Sequence, residues 1–426
     1  HGILIATPTT MKRQWIKSAF ASPMHRARPS LQTIRPRTEL DLTWVAIVLT
    51  LLTTFLAIYQ LVGVYLSSLE SAQWIVRITQ PVLWLIILFY VYGGLVYQIT
   101  RLGYFRRGIH HHPATQDELG QFHQGQPPAL TILVPSFKEE ERVMFNTLMS
   151  VALQDYPNKR VVLLIDDPPY PRTRIDQRQL TTARRLPKRV SDLLGGLGRR
   201  LQAELDGFLQ RSQRSTFNHR RETARLASIH SMVANWFDEQ AQLHLQIDHV
   251  DALYIDRVLR WHQRQQQDRA QKLADYLSEP YLAISYPELL NGYRQLVELF
   301  SVEVKSFERK RYVNLSHESN KAMNLNSYIG LVGRSFQEQT INDQLHLVAV
   351  NPWVADFSIP DADYFITLDA DSLITPDYAL RLIHFMEQPA NQRVAVAQTP
   401  YNSIPHAPAA IERIAGATTD IQFIIH

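Results

Sequence analysis

The chain has 426 residues, too many for one ordinary domain, and two or three structural units are expected. Its 44 Lys and Arg against 40 Asp and Glu give a formal net charge of +4, spread over separate segments rather than gathered in one cationic stripe, so nucleic acid is not the expected partner. The absence of cysteine excludes a disulfide framework and thiolate metal sites and leaves any chemistry to oxygen and nitrogen groups.

A basic segment, residues 1–42, comes first and holds Lys12, Arg13, Lys17, Arg26, Arg28, Arg35 and Arg37. Trp44 to Leu66 then carries no charge over roughly 23 positions, where a bilayer span needs about 20. A second apolar stretch runs from about Ile78 to Ile99, with Pro81, the Gly93-Gly94 pair, and Trp and Tyr near its ends as membrane interfaces favour. A transmembrane hairpin over residues 43–100 is predicted. Its connecting loop, Ser67 to Gln73, holds one acid, Glu70, while Arg101, Arg106 and Arg107 follow the second span. The positive-inside rule then places both flanks in the cytoplasm; a multi-pass protein of a bacterial inner membrane is the expected setting. A cleaved signal peptide does not fit, because the first apolar run begins past residue 40 and is too long for an h-region. The start at His1 and the apolar run Ile421 to Ile425 before His426 suggest a fragment at both ends.

Residues 101–128 read as a polar connector. Three adjacent histidines, His110 to His112, cannot all face one ion and are taken as solvated. From Ala129 the pattern becomes strand and helix. Leu130 to Val134 is an apolar run ended by Pro135-Ser136, followed by a helix from Glu139 with Val143, Thr147, Leu148 and Val151 on one face. Arg160 to Ile165 is too continuously apolar for a half-exposed strand and ends in Asp166-Asp167; strands buried on both faces belong to parallel sheets. Residues 168–311 turn to Arg, Gln and Leu at helical spacing, as in Leu194, Leu197, Leu201, Leu205 and Phe208, and predict a helical insertion. Its charges, such as Arg184, Arg185, Arg199 and Arg200, read first as a solvated face, and Trp236, Tyr254 and Trp261 as core rather than sugar-stacking residues. Tyr364 to Leu368 is a third strand, ended by Asp369-Ala370-Asp371 and followed by Thr375-Pro376-Asp377 as N-cap, N1 proline and first-turn acid. Val394 to Ala397 is expected as a fourth. The fold class is thus α/β with a mostly parallel sheet in two parts, residues 129–167 and 312–426, and ligands are expected at the carboxyl ends of its strands.

Asp369 and Asp371 are the candidate metal ligands. In a strand, side chains two apart share a face, and two hard oxygen donors suit Mg2+ or Mn2+ completed by substrate phosphates. No Walker-type phosphate loop is present.

Five blocks in order, Pro135-Ser-Phe-Lys-Glu-Glu140, Gln154-Asp-Tyr-Pro157, Ile165-Asp-Asp167, Asn320-Lys-Ala-Met-Asn-Leu-Asn326 and Leu368-Asp-Ala-Asp371, resemble the family-2 glycosyltransferases. With the preceding apolar spans and Gln398-Thr-Pro-Tyr401, the chain is most similar to the membrane-embedded branch that includes cellulose, chitin and hyaluronan synthases. The resemblance implies a nucleotide-diphospho-sugar transferase domain of the GT-A, Rossmann-like type and an inverting hexosyltransferase. Pro135, Ser136 and Glu139 would line the nucleotide pocket, and Asp166 or Asp167 would contact the base or ribose. Lys321 would face the diphosphate, Asp369 and Asp371 would hold metal and donor, and Asn324 and Asn326 would orient their loop. The donor implied is a UDP-sugar, and the acceptor a growing β-linked polysaccharide or a lipid-linked glycan. Three departures stand out: Pro168-Pro169 after the acid pair, the insertion before Asn320, and the absence of the family's Thr-Glu-Asp and Gln-x-x-Arg-Trp blocks, expected beyond residue 426 together with the general base. The alternative is a catalytically inactive nucleotide-binding or scaffolding module whose insertion recruits a partner protein.

Overall fold

The computed structural model describes residues 36–70, 74–110, 113–125, 127–279 and 284–425. The basic segment before residue 36 and two of the three histidines, His111 and His112, lie outside the described residues. Two compact units are present, one of residues 114–397 and one of the described residues up to Pro113 with those from Gln398 on.

The second of these is helical. Helices α1 (Pro36–Glu70) and α2 (Trp74–His110) each contain a stretch of 33 residues long and apolar enough to cross a membrane. They extend past the predicted runs at both ends. Almost none of their apolar surface is buried: Leu49, Leu52, Phe55, Leu85 and Phe89 are all exposed, unlike the core helix of a soluble protein. Polar contacts tie α1 to α2, with Gln98 Nε2 donating to Thr50 Oγ1 at 2.8 Å and Arg101 paired with Glu39.

In the unit of residues 114–397, α3 (Gln116–Gln124) opens with a capping box on Thr115. Strand β1 (Leu130–Ser136), helix α4 (Glu141–Ala152) and strand β2 (Lys159–Ile165) follow. Next come α5 (Arg174–Ser212), α6 (His219–Leu243), α7 (His249–Tyr254), which runs through one π-turn into α8 (Arg260–Ser278), and α9 (Tyr286–Phe300). Strand β3 (Glu303–Phe307) precedes α10 (Lys321–Ile329), the strands β4 (Arg334–Ile341), β5 (Gln344–Val350), β6 (Phe357–Ile359) and β7 (Tyr364–Thr367), and α11 (Tyr378–Met386). The last helix, α12 (Ala410–Ile425), belongs to the other unit.

Four strands form a parallel sheet in the order β3-β2-β1-β7. Strand alternation divides its side chains between two cores. Ile132, Val134, Val161, Leu163 and Ile165 face α4 and the helices that follow β2, whereas Leu133, Val162, Leu164 and Phe307 pack with Tyr328, Leu331 and Phe336 on the other side. This two-sided burial is why the strands read as unbroken apolar runs.

Three boundaries differ from the sequence expectation. The stretch 168–311 is not wholly helical, because its end supplies β3, an edge strand paired to β2 with Val162 opposite Lys305. It is therefore a long crossover within the sheet, and its Leu194, Leu201 and Phe208 share one continuous core with the strands. Val394 to Ala397 forms no strand: Val394 N turns back onto Asn391 O at 2.8 Å and Val396 is 83% exposed, so no neighbouring ladder or packing face holds the segment extended. A second, antiparallel sheet, β5-β4-β6, was not anticipated. Its hairpin turns at Asn342-Asp343, both at positive φ, as a two-residue turn between right-twisted strands demands.

The crossover is fixed to the amino-terminal end of β2 by buried polar groups. Lys159 Nζ donates to the carbonyls of Tyr156 at 3.1 Å and Glu298 at 3.2 Å, and burial, opposed by Asp155 and Glu298, lowers its pKa to about 8. His262 Nε2 lies 2.9 Å from Leu153 O with its ring stacked on Phe237, and His230 Nδ1 lies 2.6 Å from Gln266 Oε1. Burial lowers His262 to about 4 and His230 to about 3. Trp236, Tyr254 and Trp261 belong to this packing, Trp236 edge-on to Phe237 and Phe300.

These two histidines predict an acid-labile crossover. Their folded pKa values lie below the unfolded value of about 6.5, so the unfolded chain binds more protons between those limits. Stability is complete above pH ~6.5 and falls as pH drops toward the folded values, by about 1.4 kcal/mol per pH unit for each histidine. Thermal unfolding of the full chain in detergent from pH 7 to 4 should show this slope, and the double variant His230→Gln, His262→Gln should lose most of it.

Candidate functional site

Along the parallel sheet the chain steps from β1 to β2 to β3 and then returns to β7 on the other side of β1. This reversal makes the carboxyl ends of β1 and β7 a switch point, the place where ligands bind in open sheets of this kind. Glu139 follows β1 and Asp369 follows β7, so these two acids singled out from the sequence flank that switch point.

The geometry at Asp369 differs from the strand alternation expected. Strand β7 ends at Thr367, and Asp369 to Ser372 form a turn closed by Ser372 N on Asp369 O at 3.1 Å. Ala370 is buried in this turn, while Asp369 is half-buried and Asp371 exposed. The two carboxylates are offered by a turn anchored at its middle. The anchor is α4: Thr147 Oγ1 donates to Ala370 O at 2.8 Å. Farther on, Gln154 Nε2 donates to Thr375 O at 2.9 Å, and Gln154 Oε1 accepts from Ala379 N at 3.0 Å. Helix α11 accordingly starts later than expected, with Asp377 rather than Thr375 at its N-cap, because Gln154 takes the capping role.

Gln154→Ala would leave the Thr375 carbonyl and the buried Ala379 amide without their partner, a loss of about 2–3 kcal/mol. A fall in unfolding midpoint of roughly 5–10 °C is expected, with the acid turn loosened.

On the β1 side, Ser136 is buried and its hydroxyl lies 3.0 Å from Met144 Sδ, while its carbonyl accepts from Asp166 N at 2.9 Å. Ser136 shapes the strand end from within, and the half-buried Pro135 precedes it. Phe137 is exposed, with Lys138 Nζ 5.7 Å and Lys310 Nζ 5.9 Å from its ring centre. Lys138 sits at φ 55°, a left-handed conformation costing about 1 kcal/mol, and is held there by its N–H toward Asp167 at 3.4 Å and its ammonium on Asp176 at 2.8 Å. The strained residue turns the chain between Phe137 and Glu139.

Glu139 is half-buried, and its carboxyl is pushed above the usual range first by burial and then by Asp371, Asp369 and Asp167. That ordering shows the acids of β1, β2 and β7 sharing one electrostatic environment. Among the described residues, however, no three His, Asp or Glu converge closely enough to hold a metal ion by themselves. A hard cation here would take two carboxylates and complete its shell with phosphate oxygens and water, the usual arrangement for Mg2+. Lys321, the first residue of α10, pairs with Asp369, so a positive charge already compensates one of these carboxylates.

The adjacent aspartates at the end of β2 divide in role. Asp166 is committed inward: Arg309 Nη2 reaches its Oδ1 at 2.6 Å, and Lys310 Nζ contacts its backbone carbonyl at 2.6 Å. Arg309, wholly buried, also donates to the carbonyls of Ser316 and Glu318 and so ties the approach to α10 onto β2. Asp167 is buried as well, accepts from Lys138 N–H at 3.4 Å, and has its carboxyl raised above the usual range, through burial first. Asn324 Nδ2 donates to Leu164 O at 3.0 Å and fixes α10, which carries Lys321, against the same strand. His317 is occupied with Tyr312 O at 3.0 Å.

The crossover is tied to α4, the helix that follows Glu139. Arg142 Nη1 bonds the fully buried Asp251 at 2.6 Å, and its Nη2 bonds Asp248 at 2.7 Å. Burial alone would raise Asp251, but Arg142, Ile247 N–H and Asn146 hold it well below the usual carboxylate range. A separate open groove lined by Phe122, Pro127, Pro128, Tyr364 and Glu387 lies at the amino ends of the strands, away from the acids.

Sequence reading missed Phe137, Arg309 and Lys310. The only signal for the last two was a basic pair following an apolar segment. No protein family, curated protein or solved structure matches the chain.

Proposed function

We propose that residues 114–397 bind a nucleotide-sugar, with UDP as the expected nucleotide, in a GT-A-type site, and that the protein transfers the sugar to a growing β-linked polysaccharide or a lipid-linked acceptor at the cytoplasmic face of a membrane. One observation carries this reading: acids from the ends of β1 and β7, with Lys321, flank the β1/β7 switch point. The two long apolar helices support a membrane setting.

In this reading Phe137 offers its exposed ring face to the base, whereas Asp167, buried beneath the Lys138 amide, offers the ribose no free surface. Lys321, half-exposed and held by Asp369, can turn its ammonium to an entering diphosphate. Asp369 and Asp371 would hold Mg2+ or Mn2+, which supplies charge neutralisation at the departing diphosphate. Attack on the anomeric carbon needs a base near the acceptor hydroxyl, and none of the described residues is assigned that role.

Calorimetric titration of UDP into the full chain in detergent, with and without Mn2+, tests the proposal. Binding that requires the metal is expected. A folded chain that takes up no UDP under any metal condition would overturn it in favour of a scaffolding module.

A further inference from the structure

Helix α5 is divided lengthwise. Leu180, Leu186, Val190, Leu194 and Leu201 form its buried side. Half a turn away, Arg174, Arg178, Arg185, Lys188 and Arg199 are all exposed, with Asp192 the one acid among them. Three basic residues bordering this stripe are used within the fold, Arg184 pairing with Glu308 at 2.7 Å, Arg189 with Glu141 at 2.9 Å and Arg211 with Glu222 at 2.6 Å, while Arg200, exposed beside Arg199, makes no ion pair among the described residues. The five on the stripe make no ion pair among the described residues. At the amino-terminal end, Tyr170 and Ile175 are 90% and 71% exposed.

We propose that this face of α5 lies on an anionic phospholipid surface. From Arg174 to Arg199 the helix rises about 40 Å, so five cations along a convex rod cannot converge on one small anion. An extended negative surface satisfies them together, at about fivefold in binding per Lys or Arg. Exposed tyrosine and isoleucine beside arginine suit a bilayer interface, where ring and alkyl groups leave water, and nothing comparable is gained along a phosphate backbone. The proposal rests on the membrane setting read from α1 and α2, which gives the chain a bilayer within reach.

The chain has no cysteine, and a side chain added at Gly196, exposed on the same face, meets nothing within 4 Å. Gly196→Cys in the full chain would carry a fluorophore, and the chain would be placed in nanodiscs of neutral lipid or of neutral lipid with phosphatidylglycerol, each with a spin-labelled headgroup as quencher. Quenching is expected in anionic discs only. It should be reversed by salt at about 1 M, where the screening length shrinks to about 3 Å, and the variant R178E/R185E/K188E/R199E should bring it to the neutral-disc level without moving the unfolding midpoint. Equal quenching in both discs, or none in anionic discs with the chain embedded, overturns the proposal and leaves the membrane setting intact. Salt-sensitive binding of polyuridylate to the labelled face, in place of lipid-dependent quenching, overturns it in favour of nucleic acid. A chain that stays out of discs altogether overturns both readings.

Discussion

The double variant Asp369→Ala, Asp371→Ala is expected to lose metal-dependent nucleotide binding by at least about 100-fold, with little change in unfolding midpoint. The two carboxylates lie on a turn whose fixed point is the buried Ala370 carbonyl on Thr147, and neither is buried, so their removal leaves the packing in place. What is lost is the pair of hard oxygen donors, for which the described residues offer no third converging group to compensate. Lys321, deprived of Asp369, would be left facing any diphosphate alone. Weak metal-independent binding of UDP should therefore survive or rise, since a repelling carboxylate has gone. Retention of wild-type affinity with Mn2+ would move the cation to another set of ligands and disqualify the acid turn.

The second large effect is structural. Arg309→Met should cost about 3–5 kcal/mol, because it leaves the Asp166 carboxylate buried with only Lys310 nearby and frees two carbonyls on the approach to α10. Adding Asp166→Asn to Arg309→Met should recover a substantial part of that loss, since the penalty comes from an uncompensated charge rather than from missing side-chain volume. Thermal unfolding of both variants measures it. If the single variant is as stable as the parent, the Arg309–Asp166 pair is not what holds the approach to α10 on β2.

Much of the parallel sheet was legible because its central strands are buried on both faces. Leu130 to Val134 is broken only by the buried Thr131 and Val161 to Ile165 not at all, and the strand from Tyr364 ends the same way in acids. The edge strand β3 was not legible: only Val304 and Phe307 of its five residues are buried, and Glu303 and Lys305 pair across one exposed side. A strand that touches water reads as a helix end when a helix precedes it. Strands β4 to β6 were hidden for the same reason, their inward residues being few and widely spaced, such as Phe336, Leu347 and Ile359. Val394 to Ala397 failed in the opposite way, with strand-forming residues but no partner. At the site, the place of Asp369 was legible from the strand that precedes it, whereas Glu139 and Lys321 were singled out only by the family resemblance, and the helix that Lys321 opens was not foreseen. The division of labour between Asp166 and Asp167 was not, since it depends on Arg309 arriving from 143 residues away.

The crossover from β2 to β3 has a kinetic consequence. Arg160 and Glu303 stand side by side in the sheet although 143 residues separate them, and Ala129 meets Asp363 across 234. Neither pairing can form early, because the loop-closure entropy of such separations must be met before the ladder returns any free energy. The helices of the crossover, whose contacts are local, are expected to assemble first and to shorten the effective distance between β2 and β3. Refolding should thus be slow and biphasic, with helical signal recovered well before the nucleotide site.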